Sequence, residues 1–227
     1  MSSTIRFYFD YVSPNAYLAW TQLPPIAEKY AFTVEPVPVL FAGLLEAHGQ
    51  LGPAEVPAKM RWMSKNNLRK AALRRVVMNP PAFHPFNSLL ALRVSSLPLE
   101  TADRWALIDA LFQAVWVRGL HVSEAAVVEK IADEIGLRGG AIVSEAQHPS
   151  HKGRLREQTD DAIARGVFGV PTMEVGNELF WGYDDFLYFE LFLAGKDPLD
   201  ATEWQKWSAL PRPSAVRARV RSKNADA

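Results

Sequence analysis

The chain predicts an α/β fold whose small mixed sheet is drawn from the two ends of the sequence, with helices between them. Three observations carry this: a strand–helix–strand pattern opens the chain, a helix, a hairpin and a further helix close it, and the intervening stretch shows only helical periodicity. Ile5-Arg6-Phe7-Tyr8-Phe9-Asp10 alternates as a strand does, and Ser13-Pro14 opens a helix running to about Tyr30. Serine is a favoured N-cap, and proline suits the first helical position because its missing N–H would go unpaired there anyway. A second β-run covers residues 32–39, where Pro36 and Pro38 restrict it to an edge or a strand end because they cannot donate to a ladder. Pro53 and Pro57 mark an irregular loop. Helical patterns then cover residues 58–77, 88–95, 101–118 and 123–135, the third with Trp105, Ile108, Leu111, Phe112, Val115 and Trp116 on one apolar stripe. Gly119, Gly136, Gly139 and Gly140 read as helix ends. A further helix ends at Arg165-Gly166, residues 172–175 and 179–181 form strands joined by the turn Gly176-Asn177, and residues 184–194 close the pattern, stopped by Gly195.

This order, βαβ … αββα with a helical domain inserted between the halves, is that of a thioredoxin-like core. Residues 1–42 and 151–205 are expected to form that core, 43–150 the inserted helical domain and 206–227 a C-terminal extension. The extension, with its arginines from Pro211 onward, is given no function.

Composition narrows the chemistry. The 227 residues carry 25 basic and 25 acidic side chains and are 48% hydrophobic, too apolar for a disordered chain. No stretch nears the roughly 20 apolar residues that span a bilayer, and no signal-peptide core precedes the first strand, so a cytoplasmic protein without a membrane partner is expected. The absence of cysteine excludes disulfide exchange, an intrinsic thiolate nucleophile and zinc–sulfur sites. Any thiol chemistry must use a thiol brought by a ligand. Neutral charge gives no case for nucleic acid, yet no Asp or Glu lies between Glu55 and Glu100, where Lys59, Arg61, Lys65, Arg69, Lys70, Arg74, Arg75 and Arg93 fall. Such a window is either a solvated helix face or a positive rim that steers a small carboxylate. His148-x-x-His151 has metal-like spacing, but Pro149 interrupts it and no carboxylate pattern accompanies it, so no metal is expected. Hydrolase elbows, P-loops and dinucleotide fingerprints have no counterpart here.

Pro171, in Gly166-Val167-Phe168-Gly169-Val170-Pro171-Thr172, stands between a helix-stopping glycine and a short strand, a place where an X-Pro bond is a candidate cis peptide. Taken with residues 7–18 (Phe-Tyr-Phe-Asp-Tyr-Val-Ser-Pro-Asn-Ala-Tyr-Leu), Pro57-Ala58-Lys59 and Phe180-Trp181-Gly182-Tyr183-Asp184, this segment resembles the 2-hydroxychromene-2-carboxylate isomerases, relatives of the kappa-class glutathione transferases. The resemblance runs to about residue 200. It implies a thioredoxin fold with a helical insertion, usually dimeric, and glutathione as cofactor bound against the cis-proline segment, with serine replacing the first cysteine of the redox motif. The implied reaction interconverts 2-hydroxychromene-2-carboxylate, a small aromatic carboxylate, and trans-o-hydroxybenzylidenepyruvate in naphthalene-type catabolism.

Within that resemblance, Ser13 is the catalytic residue, donating to the glutathione sulfur at the positive end of the first helix. The same hydroxyl is also suited to a plain N-cap. Lys59 would meet the glycine carboxylate, Val170 and Pro171 the cysteinyl segment, and Tyr183 with Asp184 the γ-glutamyl end. Asp184 has an alternative as N-cap of the closing helix. Relatives often place an arginine after that aspartate; here Asp185 stands there and removes a cation for the γ-glutamyl carboxylate. Phe41, Trp62, Phe83 and Phe86 are candidates for an aromatic wall, or for ordinary core packing. Two further readings stay open: a kappa-like glutathione transferase, and a non-catalytic thioredoxin-fold binding protein. A disulfide oxidoreductase is excluded by composition.

Overall fold

In a computed structural model of the protein, which describes residues 3–210, four strands form one sheet in the order β2-β1-β3-β4. β1 (Thr4–Phe9) pairs in parallel with β2 (Thr33–Pro38) and antiparallel with β3 (Thr172–Val175), which pairs antiparallel with β4 (Glu178–Trp181). Between β1 and β2 runs α1 (Pro14–Lys29). The expected thioredoxin-like βαβ … αββα order is observed. β2 lies at the sheet edge as its prolines require. Just past its end, the Val39 N–H donates to Phe9 O at 3.0 Å, whereas Pro36 O is met from outside by an Arg104 guanidinium N–H at 2.6 Å. The even-numbered positions thus face away from β1, where a missing N–H costs no ladder bond.

β1 is buried on both faces. Ile5, Phe7 and Phe9 point to one side, where Phe9 lies 5.4 Å from Phe112 and the Trp20 and Trp105 rings stack at 4.4 Å. Tyr8 points to the other, among Val39, Leu44, Ala162 and Val167. Offset and edge-on aromatic pairs of this kind add to the gain from burial itself.

The middle of the chain supplies α2 (Phe41–His48), α3 (Pro57–Arg74), α4 (Leu89–Ser95), α5 (Thr101–Trp116), α6 (Ala125–Glu134), α7 (Gly139–Gln147) and α8 (Pro149–Ala164). α9 (Phe186–Leu193) and α10 (Ala201–Ser208) follow the hairpin. One apolar cluster joins β1, α1 and β3 to α4, α5, α6 and α7, so the sheet and the helices share a core.

Three helices correct the sequence reading. α2 is too short to display a period, and its Leu40 N-cap forms no side-chain cap bond; Gly49, in the left-handed region at φ 61°, ends it. α7 begins at Gly139, a glycine read as a helix end: a Cβ there would lie 2.1 Å from Glu129 O, so glycine allows α7 to start against the α6 backbone. α10 is capped by Asp200, whose carboxylate accepts from the Thr202 and Glu203 N–H groups. The arginine-rich tail from Pro211 lies outside the described residues.

Candidate functional site

The site is built where the N-terminus of α1 meets the turn before β3. Ser13 is the N-cap, with extended backbone (φ −93°, ψ 113°), and its Oγ accepts from the Ala16 N–H at 3.2 Å. The same hydroxyl donates to Val170 O at 3.4 Å, and the Val170–Pro171 peptide is cis. Ser13 is 9% exposed and Val170 8%, so the two form a nearly buried floor. The first turn of α1 holds no acidic side chain, which leaves its partial positive charge uncompensated within the helix. The Val170 N–H has no partner among the described residues, and Pro171 O accepts from Gly182 N–H at 2.8 Å.

The loop before Ser13 is clamped from both sides. The buried Asp10 carboxylate accepts from Val12 N–H at 3.1 Å and from Phe41 N–H at 3.0 Å. Burial raises its pKa above the ordinary carboxylate range, against the opposing pull of Ser88 and the two backbone donors. From the other side, His84 Nε2 lies 2.7 Å from Val12 O, so that nitrogen carries the hydrogen.

Past β4, Gly182 (φ 81°) leads into a 3-10 turn over Tyr183–Asp185. Tyr183, 8% exposed, has its hydroxyl held by Arg74 Nε at 2.7 Å. Asp184 is exposed, and its Oδ2 pairs with Lys70 Nζ at 2.7 Å. Lys70 is 11% exposed along its side chain, donates to Asn15 Oδ1 at 3.2 Å and sits 5.6 Å above the Tyr183 ring. Asp184 therefore does not cap the closing helix, contrary to the alternative reading. α9 starts at Phe186, and the neighbouring Asp185 instead accepts from Trp181 N–H at 2.9 Å.

Ser13, Val170 and Pro171 thus come into direct contact, and Tyr183 and Asp184 join them through Lys70 and Asn15. Lys59 stands apart: it is exposed in the first turn of α3, with no side-chain partner among the described residues. The eleven residues from Lys59 to Lys70 place them about 16 Å apart along the helix axis.

Lys70, Arg74, Asn15 and His84 were not singled out as site residues by sequence reasoning. Lys70 and Arg74 fell inside the basic window, and the usable signal was spacing: they stand one turn apart, beside the buried Asn67 and Ala71, with Arg74 at the exposed end of that face. Of the aromatic-wall candidates, Trp62 and Phe83 are largely exposed, while Phe41 and Phe86 pack against the core clusters. His148 caps α8, and His151 lies 2.7 Å from Glu145.

A serine-capped helix set against a cis-proline turn, without cysteine, defines a thioredoxin-fold protein with no disulfide chemistry of its own. Residues 4–194 match the family model described as a DSBA-like thioredoxin domain, and the chain belongs to that family. More narrowly, it is 30% identical over 195 residues to the 2-hydroxychromene-2-carboxylate isomerase of Sphingobium xenophagum, covering 85% of this chain and 99% of that one. A solved 2-hydroxychromene-2-carboxylate isomerase superposes with a TM-score of 0.78 at 26% identity, over 92% of this chain and all of that one. Glutathione S-transferase kappa 1 of Rattus norvegicus is 24% identical over 233 residues, covering 95% and 97%. The expected resemblance to isomerases with kappa-class relatives is borne out.

Proposed function

We propose that the chain is a glutathione-dependent isomerase interconverting 2-hydroxychromene-2-carboxylate and trans-o-hydroxybenzylidenepyruvate in the cytoplasmic breakdown of naphthalene-type aromatics. The observation that carries this is the Ser13 hydroxyl, 3.4 Å from the carbonyl before a cis-proline at an uncompensated helix N-terminus. When bound, glutathione would supply a thiolate: once the hemiketal C2–O bond of the chromene has opened, its hydroxyl proton passing to the phenolate oxygen, the thiolate would add to the double bond now conjugated with the ketone and leave after rotation about the resulting single bond. The residues present fit it: the unpaired Val170 N–H and its carbonyl suit the cysteinyl segment, and Lys59 suits the glycine carboxylate. Asp184 suits the γ-glutamyl ammonium.

Lys70 supplies the cation that Asp185 withholds, reaching the same turn from α3. The 3.4 Å bond from Ser13 to Val170 O is long for O–H···O, so the hydroxyl gives it up at little cost for a charge-assisted bond to sulfur. It keeps accepting from Ala16 N–H while it donates. Ser13 thereby holds a negative charge where the helix dipole also favours it. A kappa-like transferase reading uses the same groups on an electrophile that is not returned, and the 24% identical rat relative favours keeping it as the second reading.

The test is calorimetric titration with reduced glutathione beside S-methylglutathione, followed by an absorbance assay on 2-hydroxychromene-2-carboxylate. Micromolar-to-millimolar binding of glutathione, weaker binding of the methylated form and turnover of the chromene are expected. No binding to either peptide overturns the cofactor reading; glutathione binding with conjugation of an electrophile and no isomerisation moves the transferase reading to the front.

A further inference from the structure

A second feature of the basic window lies among the helices, in a cleft of about 270 Å³ between α4 and the ends of α6, α7 and α8. None of the residues assigned above to the thiol site lines it. Arg93 of α4 does, with its Nε fully buried and without a partner. Among the described residues Arg93 has no hydrogen bond from its side chain and no ion pair. A guanidinium N–H taken out of water without an acceptor is costly, the more so because the group is charged. Because Nε is closed to solvent, an anion in the cleft would meet Arg93 at its terminal nitrogens, which also have no hydrogen bond or ion pair among the described residues.

The rest of the cleft offers donors. Lys152, in the first turn of α8, also lines it, and its ammonium has no ion pair among the described residues. Asn87 Oδ1 is occupied by the Leu89 N–H, so what the amide has left to offer is its NH2. Ser123 and Gln147 add a hydroxyl and an amide, and no carboxylate lines the cleft. Two cations without ion pairs among the described residues, in a lining that adds neutral donors and no carboxylate, call for an anion. Leu89, Leu90 and Ala125 complete the lining, giving the anion an apolar wall to lie against. A planar fork such as Arg93 matches a carboxylate in bidentate fashion, and Lys152 adds a point charge.

We propose that this cleft is a binding site for a small organic carboxylate with an apolar body, held by Arg93 and Lys152. The site stands independently of the glutathione reading, since it shares no residue with it. The experiment is calorimetric titration of the full chain with salicylate, with 2-hydroxybenzyl alcohol as the uncharged counterpart and inorganic phosphate as the bare anion, each with and without saturating glutathione. Salicylate should bind, the alcohol should not, and phosphate should bind more weakly than salicylate. Arg93→Gln should weaken salicylate by about tenfold and Lys152→Gln by about threefold. Lys152 is exposed, so its variant keeps the native thermal unfolding even if Arg93→Gln does not fold. Salicylate affinity unchanged in Lys152→Gln overturns the proposal. So does phosphate binding as tightly as salicylate, which would mean a bare oxyanion site, or loss of salicylate binding when glutathione is added, which would mean that salicylate occupies the thiol site.

Discussion

At Ser13 one hydroxyl serves two neighbours, accepting from Ala16 N–H and donating to Val170 O, and the two roles separate on substitution. Ser13→Ala removes the cap and should lower stability by about 1 kcal/mol. It should lower turnover by about a hundredfold, the usual loss when one donor to a developing or resting anion is removed. The pKa of bound glutathione, followed by thiolate absorbance, should rise in the same variant. An unchanged rate with the expected loss of stability would leave Ser13 as a cap and nothing more. Asp10 gives a second prediction. Burial raises its carboxyl pKa, so the fold prefers the protonated form. That stabilising contribution is full below the ordinary value of about 3.9 and is lost as pH rises through the raised native value. Denaturant melts across acidic pH should therefore show the wild type losing stability relative to Asp10→Asn as pH rises, and parallel profiles would contradict it. Ser13 and Pro171 were legible as residues because capping chemistry and an X-Pro bond at a strand entry are local. Asp10 was not, since its partner Phe41 is brought to it by the fold.

The helix α3 shows what an element contributes beyond its residues. Its Asn67 and Ala71 are buried, and beside them Lys70 and Arg74 are delivered to Asp184 and Tyr183 from a segment more than a hundred residues away in sequence. If Lys70 binds the γ-glutamyl end without touching the reacting sulfur, Lys70→Met should raise the glutathione KM by about tenfold and leave kcat nearly unchanged. A fall in kcat with constant KM would assign Lys70 to the chemistry instead. Glycines separate two kinds of close approach. A Cβ on Gly139 meets the Glu129 backbone at 2.1 Å, whereas one on Gly169 meets the Trp181 ring nitrogen at 2.5 Å. Backbone in a packed helix cannot yield, but a half-exposed indole can swing away. Gly139→Ala should cost about 3 kcal/mol and Gly169→Ala about 1, measured by chemical denaturation. Equal costs would show that Trp181 is as fixed as the α6 backbone. The sequence reading took Gly139 for a helix end because a left-handed turn and a close helix contact both select glycine. Only the position of α6 distinguishes them.

Across the whole molecule, the alternating strands, the capped first helix and the Gly176-Asn177 hairpin were readable because each is set by neighbours in sequence. The docking of α3 on the site and the shared core were not, since both depend on contacts between distant segments. Oligomeric state belongs to the same scale. Leu73 is 81% exposed on α3, and Trp62, eleven residues or three helical turns earlier, lies on the same outward face. Large apolar side chains are also exposed on α9, at Leu187 and Tyr188, and on α10, at Trp204 and Trp207. Burying two such side chains on each of two protomers gives roughly 6–12 kcal/mol in all, of the same order as the cost of association, and makes the outer side of α3 the face on which a homodimer is expected. Sedimentation at micromolar concentration should then give twice the 25.4 kDa of one chain. Leu73→Glu places a charge in the covered face and should return the protein to a monomer. Because Leu73 precedes Arg74, which holds the Tyr183 hydroxyl, the monomeric variant should also bind glutathione more weakly. A wild-type monomer would refute the dimer outright. A Leu73→Glu dimer with unchanged glutathione affinity would put the interface on another face and leave the outer side of α3 to solvent.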